Sequence, residues 1–128
     1  MPEVIERVSV VLAIVLLSSL VCAGPGHAQV TDSCSREVST VDIVDCLNKQ
    51  TEVWDRRLNA AYRAAMSMAE PSAATALRAA ERGWLEYRKQ RCAYLSSGDG
   101  SISRIYWASC MFEMTKARTN ELLQDVKG

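Results

Sequence analysis

The stretch ISRIYWASCMFEMTKARTNELLQDV, residues 102–126, decides the fold. Its apolar and small residues recur in alternating steps of three and four, at Ile105, Ala108, Phe112, Thr115, Thr119, Leu122 and Val126. This spacing places all of them on one face of an α-helix, where they can pack against a core. We therefore predict an amphipathic helix over residues 102–126.

Two segments before it show the same periodicity. Residues 40–69 carry two neighbouring apolar rows, Val44, Thr51, Leu58 and Ala65 beside Leu47, Trp54, Ala61 and Met68. Thr40 or Asp42 is a suitable N-cap for this helix, and Pro71 ends it because proline disfavours helix in the residue before it.

A further helix is predicted from an N-cap at Ser72 to about Ser96. Its inner face is predicted to hold Leu77, Ala80, Trp84, Tyr87 or Arg88, Cys92 and Leu95. The polar residues 96–101, with two glycines, form a turn. No segment alternates with a period of two, so the fold class is all-α, an antiparallel bundle of three helices braced by two disulfides.

The first 28 residues have the features of a signal peptide. Residues 8–22 form an uncharged apolar run of 15 residues, too short for a membrane span, and AGPGHAQ follows with small residues at Gly26 and Ala28. Cleavage before Gln29 would leave a domain of residues 29–128 that is periplasmic or secreted. Because Glu3 and Glu6 are unusual in a signal, a misassigned start codon or an unusual signal is an alternative. An uncleaved anchor and a lipoprotein attached through Cys22 are two further alternatives.

The four cysteines after the predicted signal are Cys34, Cys46, Cys92 and Cys110. An even number in a small exported domain indicates two disulfides. In an up-down-up bundle all four lie near one end, so more than one pairing is possible. We favour Cys34–Cys46 and Cys92–Cys110, because each closes a short loop, worth about 3 kcal/mol in the chain-entropy model.

The sequence lacks the residues that several classes of function require. The formal net charge of the 128-residue chain is zero, so no basic field favours nucleic acid. The only histidine, His27, lies in the predicted signal, which leaves no general base of that type. GxSxG, HExxH, CxxC and phosphate-loop motifs are missing, so we predict no enzyme activity, no cofactor and no metal site.

Polar residues on or beside the predicted core faces are the most informative ones. They are Asp55, Asn59, Tyr62, Arg88 and Arg118. They predict either a buried hydrogen-bond network, with Arg88 paired to Asp55 or Glu113, or a polar binding cleft. Trp107 lies off the main stripe and is a candidate contact residue.

These residues fall in a recognisable order. The motifs are Asp55-x-x-Leu58-Asn59-x-x-Tyr62, Trp84-Leu85-x-Tyr87-Arg88 with Cys92, Gly98-x-Gly100-Ser101 with Cys110, and Thr115-x-x-Arg118-Thr119 with Leu122. In the order and spacing of these motifs, the chain resembles the N-terminal domain of the LprI-type lysozyme inhibitor family over about residues 34–123. It departs from the family in Lys89, where an acidic residue is usual, and in Glu81, where glutamine is usual.

The resemblance implies a non-enzymatic protein that binds lysozyme and blocks muramidase activity. A corner with basic and hydroxyl groups could occupy the cleft between the two catalytic carboxylates of lysozyme. The candidate binding residues are Ser97, Ser101, Ser103, Arg104 and Trp107. The alternative is a periplasmic interaction or immunity module that does not bind lysozyme.

Overall fold

The computed structural model describes residues 34–127 and contains three helices over that range. They are α1 (Thr40–Met68), α2 (Pro71–Leu95) and α3 (Ser101–Lys127). The prediction of an all-α bundle of three helices with two disulfides is confirmed. The predicted signal peptide, its cleavage site and Cys22 lie outside the described residues.

Helix α3 holds the bundle together. It packs along α1 over most of its length and against α2 more sparsely. Thr119 of α3 contacts Trp54, and Leu122 packs with Leu58 and Ala61 further along α1, so these two helices run in the same direction. Cys110 of α3 bonds to Cys92, and Arg118 binds the earlier residue Glu81, so α2 runs in the opposite direction. The chain therefore runs up, down and up, as predicted.

The stripe of α3 forms the centre of the core. Its middle positions are buried, and Phe112, Thr115, Thr119 and Leu122 have essentially no exposed surface. Leu122 joins Leu58 and Ala61 in one cluster, with Tyr62, Leu77 and Trp84 packed against it. Helix α3, which has the unbroken periodicity, is thus the helix that α1 and α2 cover.

Helix α2 is more exposed than its periodicity predicts. Only Glu81 and Cys92 are buried on it; Leu77 and Trp84 are half-buried. The predicted inner positions Ala80 and Leu95 are exposed, so that part of the prediction is wrong. The physical reason is that α2 packs sparsely on α3 and makes few contacts with α1, so its neighbours cover only a narrow stripe of it.

Two predicted helix caps are also wrong. The N-cap of α1 is Ser39, whose hydroxyl accepts the amide of Asp42 at 3.2 Å and donates to the Asp42 carboxylate at 2.6 Å. The N-cap of α2 is Glu70, and Pro71 occupies the first turn in place of an N-cap at Ser72. Proline suits that position because the first amides of a helix need no intrahelical partner.

Both predicted disulfides are present. Cys34 pairs with Cys46 across 5.7 Å between Cα atoms, and Cys92 pairs with Cys110 across 5.5 Å. The second bridge ties the end of α2 to the first half of α3. The Met114 sulfur lies 3.8 Å from the sulfurs of both Cys92 and Cys110, so this bridge is packed against the bundle.

Candidate functional site

The connection between α2 and α3 is an exposed polar turn. We call residues 96–107 the corner. Ser97, Ser101 and Arg104 are exposed, and Gly100 has a φ of 90°, a conformation that favours glycine. The flanking Cys92–Cys110 bridge fixes the two helices on either side of the turn. The corner therefore presents hydroxyl and guanidinium groups on a constrained backbone.

The predicted binding residues of the corner are not equivalent. The hydroxyl of Ser103 donates to the carbonyl of Gly100 at 2.8 Å and the residue is half-buried, so Ser103 shapes the turn. Trp107 is 37% exposed and presents part of its ring to solvent. The structure thus brings Ser97, Ser101, Arg104 and Trp107 to one exposed segment.

An apolar groove lies beside the corner, between the end of α2 and the first half of α3. Its volume is about 540 Å³, and it is lined by Arg91, Leu95, Tyr106, Ser109, Cys110, Glu113 and Met114. The spacing of residues along the chain does not predict this groove. Leu95 and Tyr106 lie on different helices, and only the disulfide-held angle between those helices brings them together.

Arg88 connects all three helices. From α2, its Nη1 donates to the Thr115 hydroxyl of α3 at 2.7 Å and to the Asp55 carboxylate of α1 at 3.3 Å. Thr115 in turn donates to the carbonyl of Met111 at 2.6 Å. Of the two predicted partners, Asp55 is the one that pairs with Arg88. The predicted buried network is only partly buried at this position, because the Asp55 side chain is 47% exposed.

A second ion pair joins α2 to α3 and is more deeply buried. Nε of Arg118 donates a hydrogen bond to the Glu81 carboxylate at 3.0 Å. Nη2 and Nη1 form ion-pair contacts of 2.9 Å with Glu81 and Glu121, respectively. Burial opposes the charge on Arg118, but hydrogen bonds to Glu121 and Glu81 outweigh it and raise the pKa of the guanidinium above its ordinary value. Glu81, which stands where the family usually has glutamine, thus supplies a buried carboxylate for Arg118.

The remaining motif residues surround these pairs. The guanidinium carbons of Arg88 and Arg118 lie 4.9 and 6.0 Å from the ring centre of Trp84, within cation–π range. The side-chain amide of Asn59 donates to the carbonyl of Asp55 at 2.9 Å. Tyr62 is half-buried, and Tyr87 is exposed. Most of the motif therefore fixes how the helices pack.

A polar groove runs between α1 and α2 on the side of these pairs. Its volume is about 320 Å³. It is lined by Asp55, Leu58, Asn59, Tyr62, Arg78, Glu81, Arg82, Leu85 and Arg88. It contains residues of the first two motifs, which are far apart in the sequence. The hydrogen-bond network and a polar groove therefore lie side by side at this position.

Residues 34–127 offer neither a candidate metal site nor a candidate membrane-spanning helix. No group of histidine, cysteine and carboxylate side chains in that range is arranged to hold a metal ion. No helix in that range combines the length and apolar character that a bilayer span requires.

Comparison with known proteins gives the family. The family model for the lysozyme inhibitor LprI matches residues 31–122. An uncharacterized protein of Rhizobium meliloti (strain 1021) is 31% identical over 119 residues, which cover 80% of this chain and 86% of that protein. No solved structure matches the chain. The match spans all three helices except the end of α3, and so the chain belongs to the LprI lysozyme inhibitor family.

Proposed function

We propose that the protein is exported, binds lysozyme and blocks muramidase activity by placing its corner in the lysozyme cleft. Membership of the LprI family is the observation that carries the choice of partner. Two disulfides in so small a domain support an oxidising compartment outside the cytoplasm. We propose the corner as the lysozyme-binding surface because of the chemistry of its side chains.

The corner has groups that suit a cleft lined by carboxylates. Arg104 is exposed and forms no ion pair within residues 34–127, so its five N–H donors are available to a carboxylate. Ser97 and Ser101 offer hydroxyl donors beside it, and Trp107 adds an aromatic contact surface. Because the disulfide already holds the flanking helices, little conformational entropy is lost on binding.

Overall charge does not favour the encounter. Residues 29–128 carry 14 basic and 13 acidic side chains, a net charge of +1. A protein with that charge gains no long-range attraction to a basic lysozyme. The affinity for lysozyme must then come from close contacts in the cleft. Replacing a single corner residue should therefore change that affinity measurably.

The double variant Ser101→Ala/Arg104→Ala is expected to weaken lysozyme inhibition about tenfold or more if the arginine is a hot spot. The melting temperature should stay nearly unchanged, because both side chains are exposed and neither contributes to the core. The inhibition constant, measured from the rate of cell-wall lysis at several inhibitor concentrations, gives the result.

A matched control removes the same residue types from the other end of the bundle. Ser67→Ala/Arg63→Ala changes two exposed positions near the end of α1 and should leave the inhibition constant unchanged. Equal inhibition by the corner variant and the wild-type protein rejects the corner as the binding site.

Export predicts two properties of the protein recovered from the periplasm of an expression host. The intact mass should correspond to a chain that begins at Gln29, and alkylation without reduction should add nothing to it. Labelling of any cysteine before reduction contradicts the two bridges, and a mass that retains residues 1–28 contradicts cleavage.

A further inference from the structure

The polar groove exists because α1 and α2 both pack on α3 and make little direct contact with each other. Arg88 spans the two helices at one end of the groove by its contact with Asp55. The rest of the groove is open to solvent at Arg78 and Arg82, which are both exposed. Its position is separate from the corner, since Ser96 lies eight residues, about 12 Å of helix, beyond Arg88.

The charges that line the polar groove are not balanced. Its two carboxylates already have cationic partners: Asp55 pairs with Arg88, and Glu81 pairs with the buried Arg118. Arg78 and Arg82 form no ion pair within residues 34–127. Two guanidinium groups therefore face this space with their donors available.

The spacing of these two arginines is unfavourable in the absence of an anion. Residues four apart lie on the same face of a helix, and like charges at that spacing destabilise it. An anion between Arg78 and Arg82 would replace this repulsion with charge-assisted hydrogen bonds, which guanidinium groups form well with carboxylates. The pair is thus better suited to hold an anion than to stabilise α2.

The other lining groups narrow the choice of anion. Leu58 and Leu85 give the groove an apolar surface, and the Tyr62 hydroxyl forms no hydrogen bond within the described residues. Asp55 and Glu81 are fixed carboxylates and would repel a doubly charged phosphate more than a singly charged group. A volume of about 320 Å³ is that of a small-molecule site.

From these observations we propose that the polar groove binds a small organic acid, with its carboxylate between Arg78 and Arg82 and its carbon skeleton against Leu58 and Leu85. The site is independent of lysozyme binding at the corner. Tyr62 would donate its hydroxyl hydrogen to the ligand, and the Arg88–Asp55 pair would close one end of the site.

The test is a titration of the purified disulfide-bonded protein followed by ¹⁵N NMR. N-acetyl-leucine supplies one carboxylate and an apolar side chain, and N-acetyl-leucinamide is its neutral counterpart. The acid should produce saturable shifts in the Asn59 side-chain amide and in the backbone amides of residues 78–85. The neutral amide and inorganic phosphate should bind at least about tenfold more weakly.

Two double variants make the test specific. Arg78→Gln/Arg82→Gln should weaken binding of N-acetyl-leucine tenfold or more. Lys89→Gln/Arg91→Gln removes the same charge from the same helix outside the groove and should leave binding unchanged. The spectra themselves show whether each variant is folded.

The proposal is overturned if the acid causes no saturable shifts in these residues, or if the amide or phosphate binds equally well. It is also overturned if the two double variants lose affinity equally. Tighter binding of an amidated peptide whose only carboxylate is a glutamate side chain would assign the groove to a protein partner and reject the small-molecule site.

Discussion

Replacing Leu122 by alanine is expected to lower the free energy of unfolding by about 3–5 kcal/mol. Leu122 has no exposed surface and packs with Leu58 and Ala61, where the central helix α3 meets α1. The truncation removes buried apolar surface and leaves a cavity that the close-packed helices cannot fill. Because a domain of this size has about 5–15 kcal/mol in total, the loss should be plain in urea denaturation.

The next residue along the chain is a matched control. Leu123 is 40% exposed and lies about 100° around α3 from Leu122, so Leu123→Ala removes the same atoms from a solvated position. Its effect should stay below about 1 kcal/mol. Similar losses for Leu122→Ala and Leu123→Ala would contradict the position of the core.

The second large effect is expected for Glu81→Ala, about 3 kcal/mol of lost stability. The side chains of Glu81 and Arg118 are about 90% buried and are joined by a hydrogen bond and an ion-pair contact, so removing the carboxylate leaves a buried cation with one partner fewer. Removing one member of a buried ion pair typically costs about 3–5 kcal/mol, and the remaining contact to Glu121 places this case at the lower end.

Glu121→Ala is the control for this prediction. Glu121 binds the same guanidinium at the same 2.9 Å but is 60% exposed. Exposed ion pairs contribute about 0–1 kcal/mol, so urea denaturation should show a much smaller loss than for Glu81→Ala. Equal losses would show that burial does not govern the strength of these two contacts.

The sequence predicted those parts of the fold that depend on local spacing. The alternating steps of three and four in α3 identified the residues that are most buried, because helix geometry alone puts them on one face. Loop length favoured the disulfide pairing that is observed, and the cost of burying an unpaired charge predicted a carboxylate partner for Arg88, with Asp55 as one of two candidates.

The parts that it did not predict depend on how the helices pair. The exposure of Ala80 and Leu95 follows from the position of α2 on one side of α3, which periodicity does not contain. Glu81 departs from the family pattern, and its burial against Arg118 depends on the angle between α2 and α3, which the sequence does not contain. The apolar groove beside the corner likewise joins Leu95 to Tyr106 only in three dimensions.

Titration of lysozyme with the purified disulfide-bonded protein is the most direct test of the proposed function. The rate of cell-wall lysis is measured as the protein is added, and circular dichroism confirms that the protein is helical. We expect lysis to fall toward zero, with saturation at one protein per lysozyme. Full lytic activity in the presence of an excess of folded protein, for every lysozyme tested, would contradict it and favour an interaction or immunity module.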